Sequence, residues 1–204
     1  MEERRPEIWI VRHGETDWSR EGRHTGRTDV ALTANGERQS LAIGRRLGGR
    51  RFALVLSSPL RRAWDTCRLA GYGDVAQVTD LLREWDYGAY EGRTTAEIQR
   101  EAPGWTVWTG VVPEGESAEK ASDRADRVIE RAVAAAGDAA LFGHGHLLRV
   151  LAARWLGLSP RAGRLFGLDT ASIGVLGYEY DTRIIRAWNL AAEGNGRPGA
   201  GMAS

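Results

Sequence analysis

The chain has little with which to cross-link itself or to hold a polyanion. Its one cysteine, Cys67, cannot form an internal disulfide, and nothing marks it as a nucleophile rather than a small buried side chain. Lysine is nearly missing: Lys120 is the only one, and arginine supplies the rest of the 28 basic residues. Against 27 acidic residues these leave a formal net charge of +1, which argues against a broad nucleic-acid-binding face but not against a small local anion site. Long apolar runs are absent. "MEERRPEIWIVRHG" passes through only Ile8 to Val11 before reaching Arg12, too little for a signal-peptide core or a membrane span, so a cytoplasmic protein without membrane contact is expected. Histidine is scarce as well, at four residues, and all four (13, 24, 144 and 146) fall in or beside two short loops.

What is present is alternation. The 204 residues suit one domain, assigned to residues 1–190, with the glycine-rich stretch 191–204 expected to be a disordered tail. "EIWIV" reads as a buried strand. "LTANGERQSLAIGRRLGG" reads as a helix capped by Thr33, with Leu41, Ile43 and Leu47 on its apolar side and Gly48-Gly49 at its end. "FALVLSSPLRRAWDTCRLAG" predicts a strand at 52–56 and a helix capped by Ser58 with Pro59 in its first position. A weaker strand follows at 74–80, then a helix through "DRADRVIERAV", a strand at 139–142, a helix after the second histidine loop, and a terminal hairpin turning around Asp181-Thr182. Strands alternating with helices predict an α/β fold, a three-layer α/β/α sandwich with a mostly parallel central sheet. In such sheets ligands sit beyond the carboxyl ends of the strands.

Both histidine loops begin where apolar strands end: "IVRHGETDW" at 10–18 and "LFGHGHLLRV" at 141–150. One histidine after a strand is more often a structural hydrogen-bonding residue. Two histidine–glycine loops in equivalent positions shift the balance towards a shared site. Glycine permits close backbone approach to a ligand, and the N–H groups opening the helix after His146 are expected to face an anion.

These stretches resemble the histidine phosphatase superfamily, in its phosphoglycerate-mutase-like branch. "RHGET" is similar to the family's name motif, "SSPLRRAWDT" to its second arginine motif, "LREWDYGAYEG" to its acid loop and "FGHGHLLR" to its second histidine motif. The four occur in the family's order between residue 8 and about residue 150, and the hairpin fits more loosely. The resemblance implies that His13 is a nucleophile accepting a phosphoryl group, that Arg12 and Arg62 (rather than Arg61) clamp phosphate, that His144 is the second pocket histidine, and that Glu84 donates a proton to the leaving oxygen. It further implies substrate contacts from Ser19, where many relatives carry asparagine, and from Thr25, Gly26, Tyr87 and Gly145. His24 and His146 stand nearby without an assigned role. Trp85, Tyr90, Trp105 and Trp108 are expected to pack in the core rather than wall a pocket. Dimers are common in the superfamily, so a homodimer is among the states it allows.

The residue types fit the chemistry. Phosphoryl transfer needs in-line positioning and compensation of charge on the equatorial oxygens, which guanidinium forks supply without a cofactor or metal. The attacking imidazole must be neutral, and a carboxyl beside a phosphate anion is pushed to keep its proton. Mutases of this branch carry an arginine pair after "VW", whereas "TVWTGVVPEGES" offers Thr109 and Gly110. The expected function is therefore hydrolysis of phosphomonoesters of small metabolites, closest in appearance to the acid phosphatase and sedoheptulose-bisphosphatase-like members. Mutase-type transfer and a non-catalytic phosphate-binding module are the alternatives. A zinc hydrolase fits worst, because no H-E-x-x-H set exists and arginines flank both histidines.

Overall fold

A computed structural model of the chain describes residues 5–192. Ile8–Arg12 (β1) sends Ile8 and Ile10 into one apolar core and Val11 into another, so this strand must be covered on both faces. Leu54–Ser57 (β2), Gln77–Val78 (β3), Ala139–Gly143 (β4), Ser172–Glu179 (β5) and Thr182–Ala191 (β6) complete a six-stranded sheet in the order β3-β2-β4-β1-β5-β6. The first four strands are parallel. β5 runs antiparallel to β1, and β6 antiparallel to β5.

Two short helices, Asp17–Arg20 (α1) and Thr95–Glu101 (α4), lie in the connections. Ala34–Leu47 (α2) and Arg61–Leu69 (α3) cover the sheet face that presents Val11, Val55, Ala140 and Phe142. Ala118–Val133 (α5) and Gly145–Trp155 (α6) cover the face that presents Ile10, Leu56 and Leu141. The chain thus forms the three-layer α/β/α sandwich that its alternation predicts.

Several local expectations are corrected. Leu41 is exposed, whereas Ile43 and Leu47 are buried as expected, together with Ser40 and Ala42. Ser58 and Pro59 precede α3, whose N-cap is Leu60. The Ser58 hydroxyl, two residues before that cap, accepts from the His144 ring at 2.8 Å and from the Leu60 amide at 3.3 Å. The 74–80 strand shrinks to Gln77–Val78 after a 3-10 turn at Gly73–Val75. α5 starts earlier than the sequence pattern marks, at Ala118, where Ser117 accepts a bond from the Lys120 amide. The hairpin turns at Tyr180-Asp181. Of the tail expected at 191–204, residues 193–204 lie outside the described residues.

Register positions the site. Arg12 pairs with Gly143 across β1 and β4, and the His13 amide donates to the Gly143 carbonyl at 3.0 Å. Both histidine loops therefore leave the sheet level with one another at its carboxyl edge. Gly14 is held to glycine by packing: a Cβ there would sit 2.4 Å from the carbonyl oxygen of Gly36 in α2. The close approach expected for a ligand is made, at this position, by another backbone.

Candidate active site

His13 is buried, and its Nδ1 lies 2.7 Å from the Gly14 carbonyl oxygen, an acceptor only. The proton therefore sits on Nδ1, and the Nε2 lone pair makes no hydrogen bond among the described residues. Burial, then the nearby Arg62 and Arg12 guanidiniums, hold its pKa well below the usual histidine range. The ring is neutral at ordinary pH.

His144 lies 5.2 Å from His13 between ring centroids and is fully enclosed. Arg62 Nε donates to its Nδ1 at 3.1 Å, which fixes the proton on Nε2, and Nε2–H then donates to Ser58 Oγ. Burial and Arg62 also keep this ring neutral. Arg62 is itself fully buried. Its remaining bonds run to the carbonyls of Thr25, Gly26 and Thr28 at 2.9–3.0 Å, so it ties the loop after His24 to the second histidine.

Arg12 leaves β1 and donates to the Leu168 carbonyl, while its Nε is enclosed without any hydrogen-bond partner among the described residues. A cationic donor left in this state is costly unless an anion completes it. Gly145 makes room for it: a Cβ there would lie 3.2 Å from the guanidinium carbon of Arg12.

Glu84 stands in the acid loop after a 3-10 turn at Asp80–Leu82. Its Oε1 accepts from the amides of Trp85 and Leu147, both at 2.9 Å, and its Oε2 from the amide of His146 at 3.0 Å. The N-terminus of α6 is thus occupied by a side chain of the protein itself, not kept open for a ligand as the sequence reading expected. Arg124 anchors the same loop, donating to the Leu81 and Arg83 carbonyls and pairing with Glu116 at 2.7 Å.

A cavity of about 250 Å³ brings together Arg12, His13, Ser19, Thr25, Glu84, Tyr87 and Gly145 from the sequence expectation. Arg62, His144 and Gly26 stand behind its wall. Ser19 reaches the cavity with its hydroxyl already bonded to the Thr16 backbone in a capping box. The Gly26 amide is taken by the Glu91 carboxylate. Tyr87 is enclosed, with its hydroxyl 2.5 Å from His146 Nδ1, and burial raises its pKa well above the usual range. His24 and His146 also line the cavity. Trp105 packs on His24 and Trp108 on His146, behind the lining, as expected of core aromatics. The sequence reading missed Gly22, Arg23, Thr95 and Arg149 as lining residues. For Arg149 a signal existed: it lies four residues after Gly145 on α6, and so on the same helix face. No group of acidic, histidine and cysteine side chains suited to a metal occurs among the described residues, and no helix there is long and apolar enough to cross a membrane.

The neutral histidines make stability depend on acid. Burial lowers the His24 pKa to about 4, and His13, His144 and His146 are also depressed. Unfolded, each would take up a proton near pH 6.5, whereas folded each resists it. The stabilisation is full above pH 6.5 and is lost as pH falls through the folded values. His24 alone is expected to cost on the order of 3 kcal/mol by pH 4. Urea unfolding between pH 7.5 and 4 checks this; a flat midpoint would contradict it.

The comparisons with known proteins follow this geometry. The family model described as histidine phosphatase superfamily (branch 1) matches residues 8–191, hairpin included. An acid phosphatase of Mycobacterium tuberculosis is 43% identical over 187 residues, covering 90% of this chain and 92% of that protein. Sedoheptulose 1,7-bisphosphatase of Saccharomyces cerevisiae is 36% identical over 186 residues, covering 75% of this chain and 68% of that one. A solved structure of mycobacterial glucosyl-3-phosphoglycerate phosphatase with VO3 superposes with a TM-score of 0.82 at 31% identity, covering 91% of this chain and 100% of that one.

Proposed function

The chain belongs to the histidine phosphatase superfamily, and on that premise we propose that it is a metal-independent phosphomonoesterase of small metabolites, working through a phosphohistidine on His13. One pairing carries the reading: a neutral His13 with its Nε2 lone pair free, in the same cavity as a buried Arg12 Nε that lacks a partner. The catalytic domain is taken as residues 1–190.

In the proposed cycle Nε2 of His13 attacks phosphorus in line and the ester P–O bond breaks. Glu84 gives its proton to the departing alkoxide. Its Oε1 already accepts two N–H bonds and its Oε2 only one, which favours Oε2 as the oxygen that carries this proton. Water then attacks the phosphohistidine, returns a proton to Glu84, and the P–N bond breaks to release inorganic phosphate. Arg12 holds the phosphoryl oxygens. Arg62 adds positive potential and fixes His144, whose neutral ring borders His13. Ser19, Thr25, Gly26, Tyr87 and Gly145 shape the substrate space.

Hydrolysis is favoured over mutase transfer at the position where mutases carry an arginine pair. Thr109 is exposed and bonded to Thr106, and a Cβ on Gly110 would meet the Trp105 ring at 2.1 Å. An arginine has no room at 110 in this loop.

The test is steady-state phosphate release from p-nitrophenyl phosphate and a panel of sugar phosphates with EDTA present. Turnover on at least one is expected; folded protein inert on all of them would sink the reading. A Glu84→Gln variant adds resolution. p-Nitrophenolate leaves without a proton, so its kcat/KM, which reports only the steps up to phosphoryl transfer to His13, should hold within about tenfold, whereas that of alkyl phosphates should lose roughly 10²–10⁴. An equal loss of kcat/KM on both would argue against Glu84 as the acid.

A further inference from the structure

Glu84 borders two cavities. One is the active-site cavity; the other, of about 450 Å³, is lined by Leu60, Arg83, Glu116, Lys120 and Arg124 among others. A carboxyl with open space on two sides is positioned by its bonds more than by packing. Its oxygens take the amides of Trp85, His146 and Leu147. The backbone that carries it is held from α5, by one ion pair.

Arg124 spends every N–H of its guanidinium there. Nε and one terminal nitrogen meet the two Glu116 carboxylate oxygens, each at 2.7 Å. The other terminal nitrogen donates to the Leu81 and Arg83 carbonyls at 2.9 and 2.8 Å, and a longer bond of 3.4 Å reaches the Glu84 carbonyl. Glu116 grips the same loop through its own backbone: its carbonyl accepts from the Trp85 indole at 2.8 Å, and its amide donates to the Asp86 carbonyl at 2.9 Å. Leu81, Arg83, Glu84, Trp85 and Asp86 are thus all tied to one pair, whose side chains are 20% and 11% exposed. A guanidinium bound to a carboxylate by two parallel bonds fixes orientation as well as distance. The fit beside it is close, since a Cβ on Gly115 would sit 2.5 Å from the Asp86 carbonyl oxygen. Arg124 does not line the active-site cavity, so it reaches the chemistry only through the loop.

We infer that Arg124, locked by Glu116, is a positioning residue for proton transfer, setting where the Glu84 carboxyl meets the leaving oxygen. The inference rests on the reading in which Glu84 is the acid, but the placement of Glu84 can be read without turnover.

The first measurement is amide hydrogen exchange followed by NMR. The His146 and Leu147 amides donate to Glu84, so Arg124→Met should speed their exchange about tenfold or more, while Val150 and Leu151, further along α6, hold within about twofold. The second is kcat/KM on p-nitrophenyl phosphate, phenyl phosphate and glycerol 2-phosphate, whose alcohols need a proton increasingly as they leave. In Arg124→Met the first ester should hold within about threefold and the last should lose about 10²-fold, with phenyl phosphate between, as a displaced acid predicts. A merely structural role would lower all three together. Arg124→Lys keeps the charge without the fork and should recover little. Should Arg124→Met fail to fold, Glu116→Gln keeps the backbone bonds of residue 116 and should show the same order of losses, about tenfold on glycerol 2-phosphate. Equal losses on the three esters or unchanged exchange at His146 and Leu147 would overturn the inference. So would a Glu84→Gln/Arg124→Met protein more than about tenfold slower on glycerol 2-phosphate than Glu84→Gln alone, because the two changes should not add. Faster exchange at those amides in a protein inert towards every ester would uphold the placement and strike the hydrolase reading instead.

Discussion

Replacing His13 by asparagine should lower phosphate release by at least roughly a thousandfold while leaving the protein folded. Asparagine can still donate to the Gly14 carbonyl as Nδ1 of His13 does, and the backbone bonds of residue 13 to Gly143 and Ala171 do not depend on the side chain. Only the Nε2 lone pair is lost, and with it the atom proposed to bond phosphorus. The direct readout is rapid quench with radiolabelled substrate. Wild-type protein should yield an acid-labile, alkali-stable phosphoprotein and His13→Asn none. A folded variant as fast as its parent would refute the covalent route. Wild-type protein that binds vanadate yet never becomes phosphorylated would point to the non-catalytic module.

The second large effect is expected at Arg62, and it should appear in stability as well as in rate. Arg62→Met would leave the carbonyls of Thr25, Gly26 and Thr28 and the Nδ1 of His144 without their donor in a fully buried place. Leaving several buried acceptors unpaired costs about 3–5 kcal/mol, which for a protein of this size is a fall in Tm of roughly 10 °C. Activity should drop further than stability accounts for, because the His144 tautomer is no longer fixed and the 25–28 segment loses its tie. Arg62→Lys keeps the charge, but a single ammonium offers three donors and cannot span four acceptors in a fixed plane, so it should rescue little. Urea unfolding and kcat/KM measured on the same preparations check this. An Arg62→Met protein with an unchanged midpoint and rate would remove Arg62 from both roles.

These two residues mark how far the sequence was legible. His13 stands out because the signals around it are local: an apolar run, a change to polar residues, and a glycine. The neighbours of Arg62 announce a helix start, yet nothing local says that its donors turn to carbonyls of the preceding loop rather than to a ligand. The same holds for Glu84. Its partners, the amides of His146 and Leu147, are 62 and 63 residues away, and the sequence reading left those amides open for an anion. Ser58 looked like a helix cap by composition, but the helix starts two residues later, and the Ser58 hydroxyl joins the Leu60 amide to a buried histidine 86 residues on.

By itself the sequence determined the layer architecture and the strand-end placement of both histidine loops, because hydrophobic period and turn residues act within a few positions; the kind of chemistry was implied by the resemblance of its four motifs to a known family. The tertiary structure alone decided which nitrogen of His13 and of His144 carries its proton, which guanidinium is consumed in holding loops and which keeps a buried nitrogen without a partner among the described residues. Those outcomes follow from competition among donors and acceptors far apart in the chain, and only packing brings the competitors together.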